Sequence, residues 1–290
     1  MSGTQRKKWE DLEIKDDFIF GKVMRNPKLC KKMLERILNI EIDHIEFPEI
    51  QKTLDYAFDA KSVRLDVYVK DGKGTVFNVE MQALNKDDLR KRSRYYQVMI
   101  DQGLLEKGED YETLAQSYVI FICDFDLFGE GRYIYTFENR CLENLELRLK
   151  DGTTKIFLNA KGKKGDISPE LRAFLNYVRR GEIGKDEFIK ELDSEVTNAK
   201  NNNIWRSEYM KLYLMQQDAK RDGRREGRKE GKLLNLISIC RKKLLKGNSP
   251  EEISEILEED LNTIKKITEE IKNNPQMNDE EICEKIMEQS

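Results

Sequence analysis

Residues 64–82 read RLDVYVKDGKGTVFNVEMQ. Two alternating apolar runs flank the turn DGKG, the pattern of a β-hairpin. Side chains on a strand alternate between faces. Val63, Leu65, Val67 and Val69 therefore share one face of the first strand, and Arg64, Asp66 and Tyr68 the other. On the second strand Phe77, Val79 and Met81 oppose Val76, Asn78, Glu80 and Gln82. Each strand is expected to bury an apolar side and offer a polar one.

Register decides whether the polar sides coincide, because facing residues of an antiparallel pair point the same way. A three-residue turn places Asp66 opposite Asn78, with Glu80 its diagonal neighbour at roughly 7–8 Å. A five-residue turn places Asp66 directly opposite Glu80. An even turn separates them unless a bulge intervenes. The expectation is an odd turn or a bulge. Two carboxylates and an amide on one sheet face repel unless a cation joins them, and hard oxygen donors select Mg²⁺, Mn²⁺ or Ca²⁺. Acids that simply solvate a hairpin's polar face are the competing reading.

Outward from the hairpin, residues 16–40 carry one apolar stripe broken near Pro27 and read as helical. A helix is expected over 85–105, with Asn85 as its N-cap. The continuous apolar run in 116–128 reads as a strand buried on both faces. RYIYTFEN and TKIFLNA are further strand candidates, and SPELRAFLNYV (168–178) opens a helix with a Ser cap and a first-turn Pro. This order predicts an α/β core over residues 1–200 and a helical, charged extension over 201–290.

From residue 218 the chain repeats every four residues, DAKR, DGRR, EGRK, EGKL. On a helix each class of residue then forms a slowly winding stripe. Ala219, Gly223, Gly227 and Gly231 make a small one, and each Gly costs about 1 kcal/mol of helix stability. The stretch 218–232 reads either as a half-ordered charged linker or as a self-association helix, which makes a homo-oligomer through the C-terminal helices the expected assembly. Small helices follow over 249–290, with a capping box expected at Ser249 and Glu252.

The 290 residues carry 52 Lys plus Arg against 55 Asp plus Glu, a net charge of −3, so a nucleic-acid site must be a local basic face. The single histidine, His44, leaves zinc sites and His-based triads poorly supplied, and it reads as a turn or strand-edge residue. Five scattered cysteines without a CxxC pair read as reduced thiols of a cytoplasmic protein. The start MSGTQRKKWEDLE has no apolar core of a secretory signal, and no apolar run is long enough to span a membrane.

The segments LDVYV and FNVEMQ resemble the active-site core of the PD-(D/E)XK nuclease superfamily. More narrowly they resemble the PD-(D/E)XK family transposases, also called recombination-promoting nucleases. The likeness continues through RYYQVMIDQGLLEKGEDYETL and YVIFICDFDLF, covers about residues 14–180, and extends to the Gly/Glu/Arg repeat. It implies a restriction-endonuclease-like fold: a central mixed sheet flanked by helices, with a C-terminal helical extension. It implies a metal-dependent DNA endonuclease acting in recombination or transposition. A catalytically inactive DNA-binding or assembly protein on the same scaffold is the alternative.

By that resemblance Asp66 and Glu80 match the metal-binding acids, with the Met81 carbonyl oxygen as a further ligand. Gln82 stands where many superfamily members carry a catalytic lysine, and it cannot carry positive charge. Asp17 matches an acidic position on the first helix, either as a water-holding or metal-side acid or as a helix-start acid favoured by the dipole. Lys61 and Arg64 are candidate phosphate contacts. On the following helix, Arg90, Arg94 and Tyr95 are assigned to gripping the DNA backbone or shaping the site. The family motif GEDYETL (108–114) is read as a structural cap.

Overall fold

The computed structural model describes residues 7–46, 48–54, 63–85, 88–105 and 107–288. These residues form two compact units, Met1–Met210 and Lys211–Ser290.

The first unit is built on a six-stranded mixed sheet. Its strands are β1 (Glu49–Leu54), β2 (Val63–Lys70), β3 (Val76–Gln82), β4 (Ser117–Cys123), β5 (Ile134–Phe137) and β6 (Thr153–Asn159), in the order β1-β2-β3-β4-β6-β5. The β2–β3 hairpin is antiparallel, β3, β4 and β6 run parallel, and β5 closes the far edge antiparallel to β6. Helices flank this sheet, as the restriction-endonuclease-like reading requires.

The hairpin pairs Val67 with Val79 and Lys70 with Val76, so the connection is the odd, five-residue loop 71–75. Asp71 organises it, accepting from the Lys73 and Thr75 N–H groups. Gly74, at φ +83°, takes the left-handed position that glycine enters without a steric penalty. Continuing the register by one pair from Val67 and Val79 sets Asp66 opposite Glu80. His44 lies at the rim of this loop, its carbonyl accepting from Gly72 N–H.

The apolar residues 16–40 fold as two helices, α1 (Asp17–Met24) and α2 (Pro27–Leu38), with Asn26 capping the second. Gly21 brings α1 close to Ile50 on β1. Ile50 pairs with Val67, so α1 covers the sheet face opposite to Asp66. The other face lies under α3 (Leu89–Gln102), where Leu89, Tyr96, Met99 and Ile100 pack with Tyr68, Val76, Phe121 and Phe157. A polar side of β3 offered to water is therefore overturned: Asn78 and Glu80 are buried along with the apolar residues. The reason is the crossover, since joining parallel β3 to β4 requires a helix across that face.

Two further expectations change, and one strand went unread. The helix after the hairpin starts at Leu89 behind Asp88 rather than at an Asn85 cap, because several polar residues in NKDD offer the same signal. The strand from 116 ends at Cys123. Beyond it Asp126 accepts from the N–H groups of Phe128, Gly129 and Gly131 and from the Tyr135 hydroxyl, which folds DFDLF into a turn. Strand β1, read as EIQKTL, carries no sustained apolar alternation and escapes the pattern because it is a sheet edge. The GEDYETL motif does act as a cap, with Asp110 holding the turn Tyr111–Thr113. Helices α4 (Pro169–Arg180) and α5 (Glu187–Lys200) complete the unit, α4 capped by Ser168 as its sequence predicts.

Helix α6 (Asn203–Leu245) passes from the first unit into the second and is helical through the whole four-residue repeat. The second unit adds α7 (Pro250–Leu257), α8 (Leu261–Asn273) and α9 (Asp279–Glu288). Ser249 and Glu252 form the expected capping box. Ile253 fills a core with Ile237, Cys240, Ile264 and Ile282. Among the described residues no helix is long and apolar enough to cross a membrane.

Candidate active site

A cavity of about 440 Å³ opens where β3 ends, lined by Asp17, Arg64, Asp66, Glu80, Gln82 and Arg92 among others. Crevices beyond the carboxyl ends of parallel strands are where α/β sheets place ligands. Here β2 and β3 part. The backbone ladder stops at Val67 and Val79, and side chains take over the bonding. The Asp66 N–H donates to Glu80 Oε1 at 3.1 Å, and the Met81 N–H donates to Asp66 Oδ2 at 3.2 Å.

Both acids are pushed toward their protonated forms. Burial raises the Asp66 carboxyl to about 7, helped by the charge of Asp17 and opposed by the Met81 amide, Arg64 and Arg92. Burial likewise raises Glu80 well above the ordinary range, and the Asp66 charge adds to it. Glu80 is only 1% exposed, so water does little to relieve it. Like charges in a shared, poorly solvated site behave this way.

The cation beside Glu80 is Arg92, which the sequence pattern does not single out from its neighbours on this helix. Its guanidinium lies 3.7 Å from Glu80 Oε2 and 3.5 Å from Gln82 Oε1, and it donates to the Tyr96 hydroxyl at 3.0 Å. Arg92 and Tyr96 are four apart and share a helix face. Arg90 and Arg94 occupy a different one. Arg90 donates to the Leu127 carbonyl, and both arginines line a separate cavity with Phe128, Phe137 and Lys155. Tyr95 packs at the edge of the core beneath α3. None of these three shapes the Asp66–Glu80 cavity. The missed signal was rotational: of the basic residues on this helix, Arg92 is the one i, i+4 from a buried tyrosine.

Asp17 is the first residue of α1, its carboxylate accepting from the Phe18 N–H at 2.8 Å, and it faces the same cavity. Arg64 lines the cavity as well, and Lys61 lies outside the described residues.

The donor set suits a hard divalent cation. Half-buried Asp66 and buried Glu80 share their cavity with Asp16 and Asp17 against Lys15, Arg64 and Arg92, which leaves negative charge in excess when all four acids ionise. Among the described residues no group of three or more His, Cys, Asp or Glu side chains converges. A divalent cation held by only one or two carboxylates would need water and substrate phosphate to complete its shell.

A mixed sheet covered on both faces, with an Asp and a Glu meeting at the open end of its hairpin, defines a nuclease-like scaffold. The chain belongs to the PD-(D/E)XK nuclease family transposases, whose family model matches residues 15–224. It is thus a nuclease-fold protein of a family linked to transposition. No curated protein and no solved structure matches it.

Proposed function

We propose that this protein is a divalent-metal-dependent DNA endonuclease that hydrolyses phosphodiester bonds in recombination or transposition. The observation that carries the reading is the pairing of half-buried Asp66 with buried Glu80 at a cavity whose other charged side chains include Arg64 and Arg92. Asp66, Glu80 and the Met81 carbonyl oxygen are the residues that would hold Mg²⁺, with Mn²⁺ or Ca²⁺ as substitutes. Such an ion supplies Lewis-acid polarisation of a phosphoryl oxygen and eases deprotonation of water.

The chain's own groups do the rest. Gln82 is uncharged, and its amide can orient a water or a phosphoryl oxygen. Arg92 brings from α3 the positive charge that Gln82 lacks. Arg64 meets the phosphate backbone at the cavity rim, and Asp17 holds a water on the α1 side. Arg90, Arg94 and Tyr95 belong to the wider DNA surface in this reading, with Arg90 and Arg94 acting from their own cavity, and Lys61 is kept as a proposed phosphate contact. Attack by water in line with the leaving 3′ oxygen completes the reaction class.

Cytoplasmic placement is part of the proposal and is supported by free thiols at all five cysteines. Self-association through the C-terminal helices is also part of it. The open row Gly223, Gly227 and Gly231, with nothing within 4 Å of an added Cβ, leaves room for a second helix.

The test is plasmid nicking by the full chain with Mg²⁺, Mn²⁺ or Ca²⁺, against the Asp66→Ala variant. Cleavage lost in the variant supports the reading. No cleavage with any of the ions, or equal cleavage by the variant, sinks it. Chelator-insensitive DNA binding without cleavage would leave the alternative, an inactive DNA-binding or assembly protein. The uncharged Gln82 is the observation in its favour.

A further inference from the structure

Between Lys220 and Lys232 the chain places seven basic residues against three acidic ones, in a protein whose net charge is −3. Successive helix residues are turned by about 100°. Lys220, Arg224, Arg228 and Lys232 therefore form one row, and Arg221, Arg225 and Lys229 a second beside it. The two rows cover about half the helix circumference. The acids and glycines take the other half.

This arrangement is poor helix design by itself. Like charges four apart oppose each other, and each glycine weakens the helix further. No packing accounts for the glycines, since an added Cβ at Gly223, Gly227 or Gly231 meets nothing within 4 Å. The basic face instead forms a wall of a groove of about 840 Å³, bounded at one end by Leu233, Leu236, Glu259 and Thr263. All of these residues belong to the second unit.

We propose that this face of α6 is a docking surface for the phosphate backbone of duplex DNA, separate in its residues from the Asp66–Glu80 site. The choice of DNA rests on the nuclease reading; the anion-binding character rests on the face itself. Lys220, Arg224, Arg228 and Lys229 have no ion-pair or hydrogen-bond partner among the described residues. Four of the seven basic residues are arginines, whose planar forks match phosphate oxygens. The twelve rises from Lys220 to Lys232 span about 18 Å, or roughly five phosphate steps of one strand.

A second copy of the chain fits less well. Its complementary surface would be the acidic row, in which Asp218 and Asp222 are already paired within the helix to Arg221 and Arg225 at 3.1 and 3.8 Å, leaving only Glu226 and Glu230 to meet four unpaired basic residues. The unpaired excess on this helix is positive.

The experiment is fluorescence anisotropy of a labelled 30-base-pair duplex with the full chain in chelator, so that cleavage plays no part. Affinity is read across a salt series for the native chain, Arg224→Gln/Arg228→Gln and Lys220→Gln/Lys229→Gln. Circular dichroism checks each fold, and the second pair stands in where the first fails to fold. Losing two phosphate contacts should lower the slope of log K against log salt by about 1.8 and weaken binding roughly 10- to 100-fold at 0.1 M salt. Unchanged slope and affinity overturn the proposal. So does the absence of DNA binding by the native chain, stronger binding to single-stranded RNA, or a change in sedimentation state without a change in slope. A chain that binds through this face yet never cuts refutes only the nuclease reading. A chain that cuts with an unaltered slope refutes only this one.

Discussion

The Asp66 N–H donates to Glu80 Oε1 at 3.1 Å, while Asp66 Oδ2 accepts from the Met81 N–H at 3.2 Å. Each carboxylate is thus fixed by the backbone of the opposite strand, where the ordinary ladder has ended. This placement costs solvation for both acids, and it sets their separation without help from a ligand. Replacing either should therefore remove function more than fold. Asp66→Ala or Glu80→Ala is expected to cut nicking by more than about 100-fold, beyond the effect of losing an outer-shell partner of a metal. Initial rates on supercoiled plasmid, with circular dichroism to confirm the fold, check this.

The raised carboxyl of Asp66 makes a prediction about stability and pH. Its folded value of about 7 lies above its ordinary 3.8, so the native state holds more protons than the unfolded state between those values. Stability from this group is present below pH 4 and is lost as pH rises toward and through 7. Glu80 shifts in the same direction. Asp126 and Asp186 are lowered, so their contributions fail at the acid end, below pH 4. Between pH 5 and 8 the metal-free melting temperature is expected to fall, and Asp66→Asn/Glu80→Gln should flatten that slope. Adding Mg²⁺ should raise the melting temperature more at pH 8 than at pH 5, because ligands must lose protons to bind. Thermal scans across this range, with and without the ion, provide the check.

Arg92 answers the question that Gln82 raises. A lysine at position 82 would place an ammonium beside a guanidinium now 3.5 Å from Gln82 Oε1. Gln82→Lys is therefore expected to lower activity rather than improve it. Arg92→Ala should lower it by about 10- to 100-fold and push Glu80 further toward its protonated form, shifting the pH–rate profile to higher pH. Arg92→Lys should restore part of the rate. A pH–rate series over these three variants decides it, and an unchanged profile in Arg92→Ala would remove the arginine from the site.

The pairing of Asp66 with Glu80 was legible because a strand's period of two leaves few registers, and the odd loop 71–75 is one of them. The cap at Ser168, the break at Pro27 and the capping box at Ser249 were legible because each is a local bond between near neighbours. What escaped depends on distant residues. Burial of Asn78 and Glu80 follows from α3 crossing the sheet, and nothing in FNVEMQ records that. The choice of Arg92 over Arg90 and Arg94 depends on the rotation of α3, which its packing against Phe121 and Tyr68 fixes. Strand β1 was missed because edge strands lack the apolar rhythm that marks central ones.

The helix that carries Asp17 is held by a buried lysine. Lys22 on α1 is only 6% exposed, and its ammonium donates to both Glu208 oxygens at 2.8 and 2.7 Å while lying over the Phe18 and Trp205 rings. Phe18 in turn packs edge-on to Trp9 and Tyr209. Removing the carboxylate leaves a buried cation with only ring faces beside it, and an unsatisfied buried donor costs about 1–3 kcal/mol. Glu208→Ala is therefore expected to destabilise the protein by about that much, and Lys22→Met/Glu208→Leu by less, since removing both charges leaves no orphan. Urea titrations of the single and double variants measure the difference. If the double variant were as unstable as the single one, the aromatic packing around Lys22, and not its ion pair, would hold α1 in place.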